Sequence, residues 1–275
     1  MSRPPKLSQH FLVNRGLCRR IVDLARLSPN DRVVEIGPGR GALTSLLLDR
    51  AGEVWAIEVD PLLAGELRER FGDRPHLHLI QQDALRVAFE ELPAPFKVIA
   101  NLPYAVASPL LIRLLEARRS IPLMVLMFQR EVAERLVAEP GSRRYGFLTI
   151  VAQLSADVRL ELTVSPGSFR PPPTVDSAVV TVVPRREPAI PVEDEAAFLR
   201  LVRLGFAHRR KTIRNNLSHV LPAARCDALL DDASIDPKRR PETLSLEEWG
   251  RLARSCRVLG IQIGSRGMGP GSRIK

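Results

Sequence analysis

The chain has 275 residues with 41 Lys+Arg against 31 Asp+Glu, a formal net charge of +10, enough length for one large or two modest domains. A hydrophobic content of 45% with 26% charged residues excludes a wholly disordered chain, and the positive excess favours an anionic partner, nucleic acid or an acidic membrane surface. The excess sits at the two ends: residues 1–26 carry six basic and one acidic side chain, residues 27–186 nineteen of each, and residues 187–275 sixteen and eleven.

Met1–Leu7 lacks the apolar core of a secretory signal, and the strongest apolar run, Leu123–Phe128, is too short to span a bilayer. A cytoplasmic protein without a membrane partner is expected. From Arg32 onward, short β-type runs alternate with helix-type runs. The strands are Arg32–Ile36, Val54–Ile57, Leu77–Ile80, Lys97–Ala100 and Leu123–Phe128; the helices between them include Ala42–Arg50, Pro61–Phe71 and Ser108–Ala117. That alternation predicts βαβ crossovers and an α/β fold with a mostly parallel sheet. Gln129–Ala138 and Phe147–Leu154 read as helices. Val158–Val164 and Ala178–Val183 follow with no helix between them, which predicts an antiparallel pair at the sheet edge. Pro184–Pro191 reads as a linker. Beyond it, Glu193–Leu217 and the later stretches have helical periodicity and no strand, so a small all-α domain is expected. The expected boundaries are 1–186, 187–263 and a mobile tail over 264–275. Cys18, Cys226 and Cys256 make no CxxC and read as reduced thiols. The histidines form no HExxH, and no metal is expected.

The first strand runs into Glu35-Ile-Gly37-Pro-Gly39-Arg-Gly41, a glycine turn that lets backbone approach a nucleotide-like ligand. The second strand ends in Glu58, placed to accept hydrogen bonds from ribose hydroxyls. The third leads to Asp83, at the same sheet edge. These residues leave NAD and S-adenosylmethionine as competing ligands. The fourth strand ends in Asn101-Leu102-Pro103-Tyr104. An amide oxygen and a backbone carbonyl there can accept from an exocyclic amine, and an aromatic ring can stack on the base that carries it. Held this way, the amine lone pair is drawn out of conjugation and aimed at an electrophilic methyl group, with no strong base required.

Gln9–Leu12, Glu35–Thr44, Glu58–Asp60, Asp83–Leu85, Asn101–Tyr104, Gln129–Arg135, Tyr145–Phe147, Phe169–Ala178, Phe206–Leu217 and Arg240–Leu246, in that order, resemble the KsgA-type ribosomal RNA adenine N6,N6-dimethyltransferases over nearly the whole chain. The resemblance implies a Rossmann-like class I methyltransferase domain, with S-adenosylmethionine as cofactor, and a C-terminal helical domain that binds RNA. The implied substrate is two adjacent adenosines in the 3′-terminal hairpin loop of small-subunit (16S-type) rRNA, within a 30S-type assembly intermediate, and the enzyme is expected to act as a monomer. It implies His10 and Leu12 closing over the cofactor beside Gly37, Gly39 and Gly41, with Glu58 on its ribose and Asp83 on its adenine amine. Asn101 and the Leu102-Pro103 backbone would hold the target amine beside the cofactor, and Tyr104 and Phe169 would sandwich the flipped adenine. The sequence departs from the family pattern at Ser8, His10, Thr174 and His208.

Arg209, Arg210, Lys211 and Arg214 form the densest basic run, expected on a helix and reading as phosphate contacts to structured RNA. The competing readings are a large-subunit rRNA dimethylase of the macrolide-resistance type, which usually carries isoleucine where Leu102 stands, and a non-catalytic ribosome-assembly factor, which would be marked by a degraded Asn101–Tyr104 or glycine motif.

Overall fold

The structure is a computed structural model and describes residues 10–263. The tail expected over 264–275, with Arg3 and Lys6 of the basic N-terminal arm, lies outside the described residues.

In chain order the elements are β1 (Phe11–Leu12), α1 (Arg15–Leu24), β2 (Arg32–Ile36), α2 (Thr44–Leu48), β3 (Glu53–Glu58), α3 (Pro61–Phe71), β4 (Leu77–Gln81), β5 (Lys97–Asn101), α4 (Ala107–Glu116), β6 (Met124–Gln129), α5 (Arg130–Leu136), α6 (Phe147–Ser155), β7 (Ala156–Val164), β8 (Phe169–Arg170) and β9 (Ser177–Pro184). The helices α7 (Glu195–Gly205), α8 (Ile213–Leu217), α9 (Ala223–Asp232) and α10 (Leu246–Val258) follow. None of the described helices is long and apolar enough to cross a membrane.

Seven strands form one sheet in the order β4-β3-β2-β5-β6-β9-β7. The first five are parallel, and β9 pairs antiparallel with both β6 and β7. The expected parallel sheet and antiparallel edge pair are both present. Strands β3, β6 and β9 are buried almost throughout, as continuous apolar runs in a covered sheet must be. β7, at the edge, alternates and carries a bulge between Leu160 and Leu162. The chain adds strands to one side through β2, β3 and β4, then returns to the other side with β5. The β2/β5 boundary is therefore a topological switch point, where a crevice opens outside the strand ends.

Local signals fix the helices that flank this crevice. Asn14 caps α1 by accepting from the Leu17 amide at 3.0 Å, and Asp60 caps α3 by accepting from Leu62 at 2.9 Å, with Pro61 in the first helical position. One pairing was not expected: β1 and β8 form a two-stranded antiparallel ladder that joins Phe11 to Arg170 and Leu12 to Phe169.

The chain divides into two compact units, residues 1–137 with 155–187, and residues 138–154 with 188–275. The expected break at 186/187 is matched to within one residue, but 138–154 joins the second unit. Tyr145, Ile150 and Leu154 are fully buried there among Phe198, Leu201 and Trp249. Gly205 makes room for the Trp249 ring, because a Cβ at that position would lie 2.3 Å from Trp249 Cη2. Helix α10 starts in a capping box in which Ser245 and Glu248 bond each other's backbone amides. The single helix expected over Glu193–Leu217 is broken at 206–212, where Thr212 starts α8 as an N-cap. The three cysteines are buried and free.

Candidate active site

A cavity of about 690 Å³ opens at the switch point, within the size range of small-molecule sites. Its floor is the turn after β2. Gly37 and Gly39 have φ of +67° and +56°, backbone that only glycine adopts cheaply. Gly39 also needs its missing side chain, since a Cβ there would approach the Phe11 ring to 3.0 Å. Gly41 differs from expectation. It does not line the cavity; a Cβ there would lie 2.6 Å from Phe71 Cε2. Its role is to let the turn pack on α3.

Glu58, at the end of β3, is 4% exposed. One carboxylate oxygen accepts from the Gly39 amide at 3.1 Å and the other from the Asp60 amide at 3.0 Å. Burial raises its pKa, and those amide bonds work against the shift. Asp83 lines the cavity while one oxygen caps the following turn, accepting from Leu85 at 3.0 Å. Glu35, on β2, also lines the cavity and is 1% exposed, although the sequence motif had assigned it no role. Its signal was available: a carboxylate inside an otherwise apolar central strand has to be explained. Glu35, Glu58, Asp60 and Asp83 share the wall with one basic side chain, Arg40, whose guanidinium lies 4.9 Å from the Phe11 ring centroid. An acidic wall repels a pyrophosphate and suits a cationic nucleoside, which separates the two ligands that the glycine turn left open.

Asn101 closes β5 at the same mouth. Its Nδ2 donates to the His10 carbonyl at 3.2 Å, so its Oδ1 is left to accept from a ligand. The Leu102 amide donates to Met127 O at 3.3 Å and Pro103 O accepts from Val106 at 3.1 Å, which fixes the path of the Leu102-Pro103 backbone. The Tyr104 hydroxyl lies 2.9 Å from Ser177 Oγ, and its ring is 5.7 Å from that of His10. His10 Nδ1 in turn donates to Pro171 O at 2.8 Å. His10, Leu12, Gly37, Gly39, Glu58, Asp83, Asn101, Leu102, Pro103 and Tyr104 all line one cavity.

Phe169 does not join them. It is 1% exposed and packs in the core with Leu12, Leu17 and Ile99, so no ring face is available for stacking. Its backbone pairs with Leu12 and so holds the β1 strap that carries His10 and Phe11 over the glycine turn.

The basic run is also corrected. Arg209, Arg210 and Lys211 lie in the turn between α7 and α8, not on a helix. Arg209 donates to Arg143 O at 2.6 Å and to Tyr145 O, tying two loops together. Arg214, on α8, makes a two-point pair with Asp227 at 2.6 and 2.9 Å. Arg210 and Lys211 are exposed. Among the described residues, no group of three or more His, Cys, Asp or Glu side chains is placed to hold a metal ion.

Residues 2–257 match the family described as ribosomal RNA adenine dimethylase. The chain is similar to the ribosomal RNA small subunit methyltransferase A of Syntrophotalea carbinolica, 46% identical over 256 residues that cover 92% of this chain and 96% of the relative. Among solved structures it is similar to a dimethyladenosine transferase from Plasmodium falciparum, with a TM-score of 0.79, 29% identity and coverage of 93% of this chain and 100% of that one. The 23S rRNA methyltransferase ErmE superposes with a TM-score of 0.67 at 31% identity, covering 89% and 98%.

Proposed function

The chain belongs to the ribosomal RNA adenine dimethylase family, and from that premise we propose that it methylates the N6 amines of two adjacent adenosines in the 3′-terminal hairpin loop of small-subunit rRNA, with S-adenosylmethionine as the methyl donor. The observation that carries the chemistry is Asn101, whose amide is oriented by the His10 carbonyl so that its oxygen faces the cavity mouth. The reading of the small subunit rests on the Syntrophotalea relative, at 46% identity against 31% for the large-subunit enzyme ErmE. A non-catalytic role is disfavoured because the glycine turn and Asn101–Tyr104 are intact and share one cavity.

The residues present fit the cofactor. Gly37 and Gly39 leave room for its backbone-facing side, Glu58 is placed for ribose hydroxyls, Asp83 for an adenine amine, and Glu35 has an unpartnered buried oxygen. When bound, S-adenosylmethionine supplies an electrophilic methyl group. Asn101 Oδ1 and the Leu102-Pro103 backbone accept from the target amine and orient its lone pair toward that methyl. Tyr104, held by Ser177, offers the stacking face for an extruded adenine. Phe169 contributes by anchoring the β1 strap.

For RNA, backbone bonds bring three loops of the second unit together: Gly141 to Glu242, Arg209 to Arg143 and Tyr145, and Ile213 to Arg239. Arg143, Arg210, Lys211, Lys238 and Arg240 are exposed on them and supply phosphate contacts to folded RNA.

The test is transfer of tritiated methyl groups to small-subunit particles that lack the modification, followed by nuclease mapping. Label is expected in N6,N6-dimethyladenosine near the 3′ end of the small-subunit rRNA. Label in large-subunit rRNA, or none, overturns the reading.

A further inference from the structure

Glu35 lies two residues before Gly37 on the cavity wall, is 1% exposed, and has an Oε2 with no hydrogen-bond partner among the described residues. A buried carboxylate without a partner is costly enough that the group takes up a proton instead. Burial pushes Glu35 up to about 8, and the Glu58 carboxylate on β3 adds to the shift. Thr44, at the start of α2, lies close enough to temper the shift, yet its hydroxyl makes no hydrogen bond of standard geometry. From α1, the Cys18 thiol feels the Glu35 charge and is raised by it. None of these neighbours is a cation. Arg40, the basic side chain on the wall, lies over the Phe11 ring.

An acid in this position is complementary to a ligand that brings a positive charge. Resting on the functional reading above, we propose that Glu35 is a latent counter-ion for the cofactor: a carboxylic acid while the cavity holds no ligand, it ionises against the positive charge of S-adenosylmethionine and gives its proton to solvent. The balance is one carboxylic acid and one cationic ligand giving one ligand-paired carboxylate and one hydrated proton. No electron moves and no covalent bond changes except the O–H bond that breaks. In the dry cavity, attraction between carboxylate and cation is far stronger than in water, which offsets the burial cost that had held the proton on. Glu35 is in this sense a positioning residue, selecting ligands by charge.

The direction with pH follows. The acid form predominates below about pH 8, and only the ionised form pairs with the ligand. Cofactor affinity therefore falls as pH drops, approaching about tenfold per pH unit well below that midpoint. The experiment is calorimetric titration of the full chain with S-adenosylmethionine at pH 7, in buffers of different ionisation heat. Release of close to one proton is expected for the wild type. Glu35→Gln, checked for folding by circular dichroism, is expected to release almost none and to lose the pH slope. Carbon-detected NMR of glutamate-labelled protein without ligand gives a second readout: one carboxyl titrating above pH 7 in the wild type and missing from Glu35→Gln. S-adenosylhomocysteine, which keeps the ammonium but not the sulfonium, identifies the cation: release by both ligands points to the ammonium, release by S-adenosylmethionine alone to the sulfonium, and either supports the proposal. Binding heat with no buffer dependence, unchanged release in Glu35→Gln, or no such carboxyl resonance overturns it. Absence of any binding at every pH overturns instead the functional reading on which it rests.

Discussion

Asn101 shows how a single side chain can be tied to chemistry by what its other end does. Its nitrogen is committed to His10 O, so the acceptor is oriented before any substrate arrives, and preorganised polar groups of this kind are where enzymes gain most. Asn101→Ala removes the acceptor and unpins the strap, and methyl transfer is expected to fall by about 10²- to 10³-fold or more. Cofactor affinity measured by calorimetry should change by less than about tenfold, since that shift corresponds to only 1.4 kcal/mol. An Asn101→Ala variant that retains wild-type turnover would remove it from the mechanism. At this scale the sequence was informative where a residue's chemistry is unusual for its place, as with an amide followed by Leu-Pro-Tyr at a strand end. It was uninformative where the role is packing. Gly41 and Phe169 look like site residues because they neighbour site motifs, but a contact with Phe71 or a place beside Leu17 is a long-range fact. Glu35 was legible as an anomaly in a buried strand, but only the structure shows that its oxygen has no partner.

Secondary elements were legible to the extent that their cause is local. The parallel strands are continuous apolar runs, and Pro61 and Asp60 mark the start of α3 on their own. The break at 206–212 was missed because basic residues suit helix surfaces, while the Thr212 cap that restarts the chain as α8 was read as one more polar position. The β1–β8 ladder could not be seen, since it joins two-residue strands more than 150 positions apart. The glycine turn offers a test of the packing argument. Gly41→Ala places a methyl group at φ +77° and 2.6 Å from Phe71, combining left-handed strain with overpacking, and about 2–4 kcal/mol of destabilisation is expected. Gly141→Ala at φ +83° has nothing within 4 Å, so only the strain of about 1–2 kcal/mol remains. Urea unfolding followed by fluorescence separates them, because Trp55 reports on the first unit and Trp249 on the second. Equal losses would mean that the contact with Phe71 does not matter.

For the whole molecule, the net charge of +10 divides unevenly once the structural units replace sequence segments. The second unit carries 18 basic and 11 acidic side chains, net +7, and the first 23 and 20, net +3. Part of the difference is the excursion 138–154, which brings Arg143 and Arg144; its periodicity marked a helix but could not say which core that helix would join. Charge count alone overstates the RNA surface, because several cations are already engaged. Arg214 is paired with Asp227, Arg239 with Glu248, and Arg209 holds a loop. Arg210 and Lys211 are exposed in the turn and are the better phosphate contacts. Each contact contributes about one unit to the slope of log affinity against log salt. The double variant Arg210→Glu/Lys211→Glu should therefore lower that slope by about two for binding to small-subunit rRNA fragments, read by filter binding across a salt series. Arg214→Ala should leave the slope nearly unchanged, since Asp227 already neutralises that guanidinium. Cofactor binding should be unaffected in both, because no second-unit residue lines the cavity. If the two variants shift the slope alike, the contacts follow net charge and not the exposed loop cations.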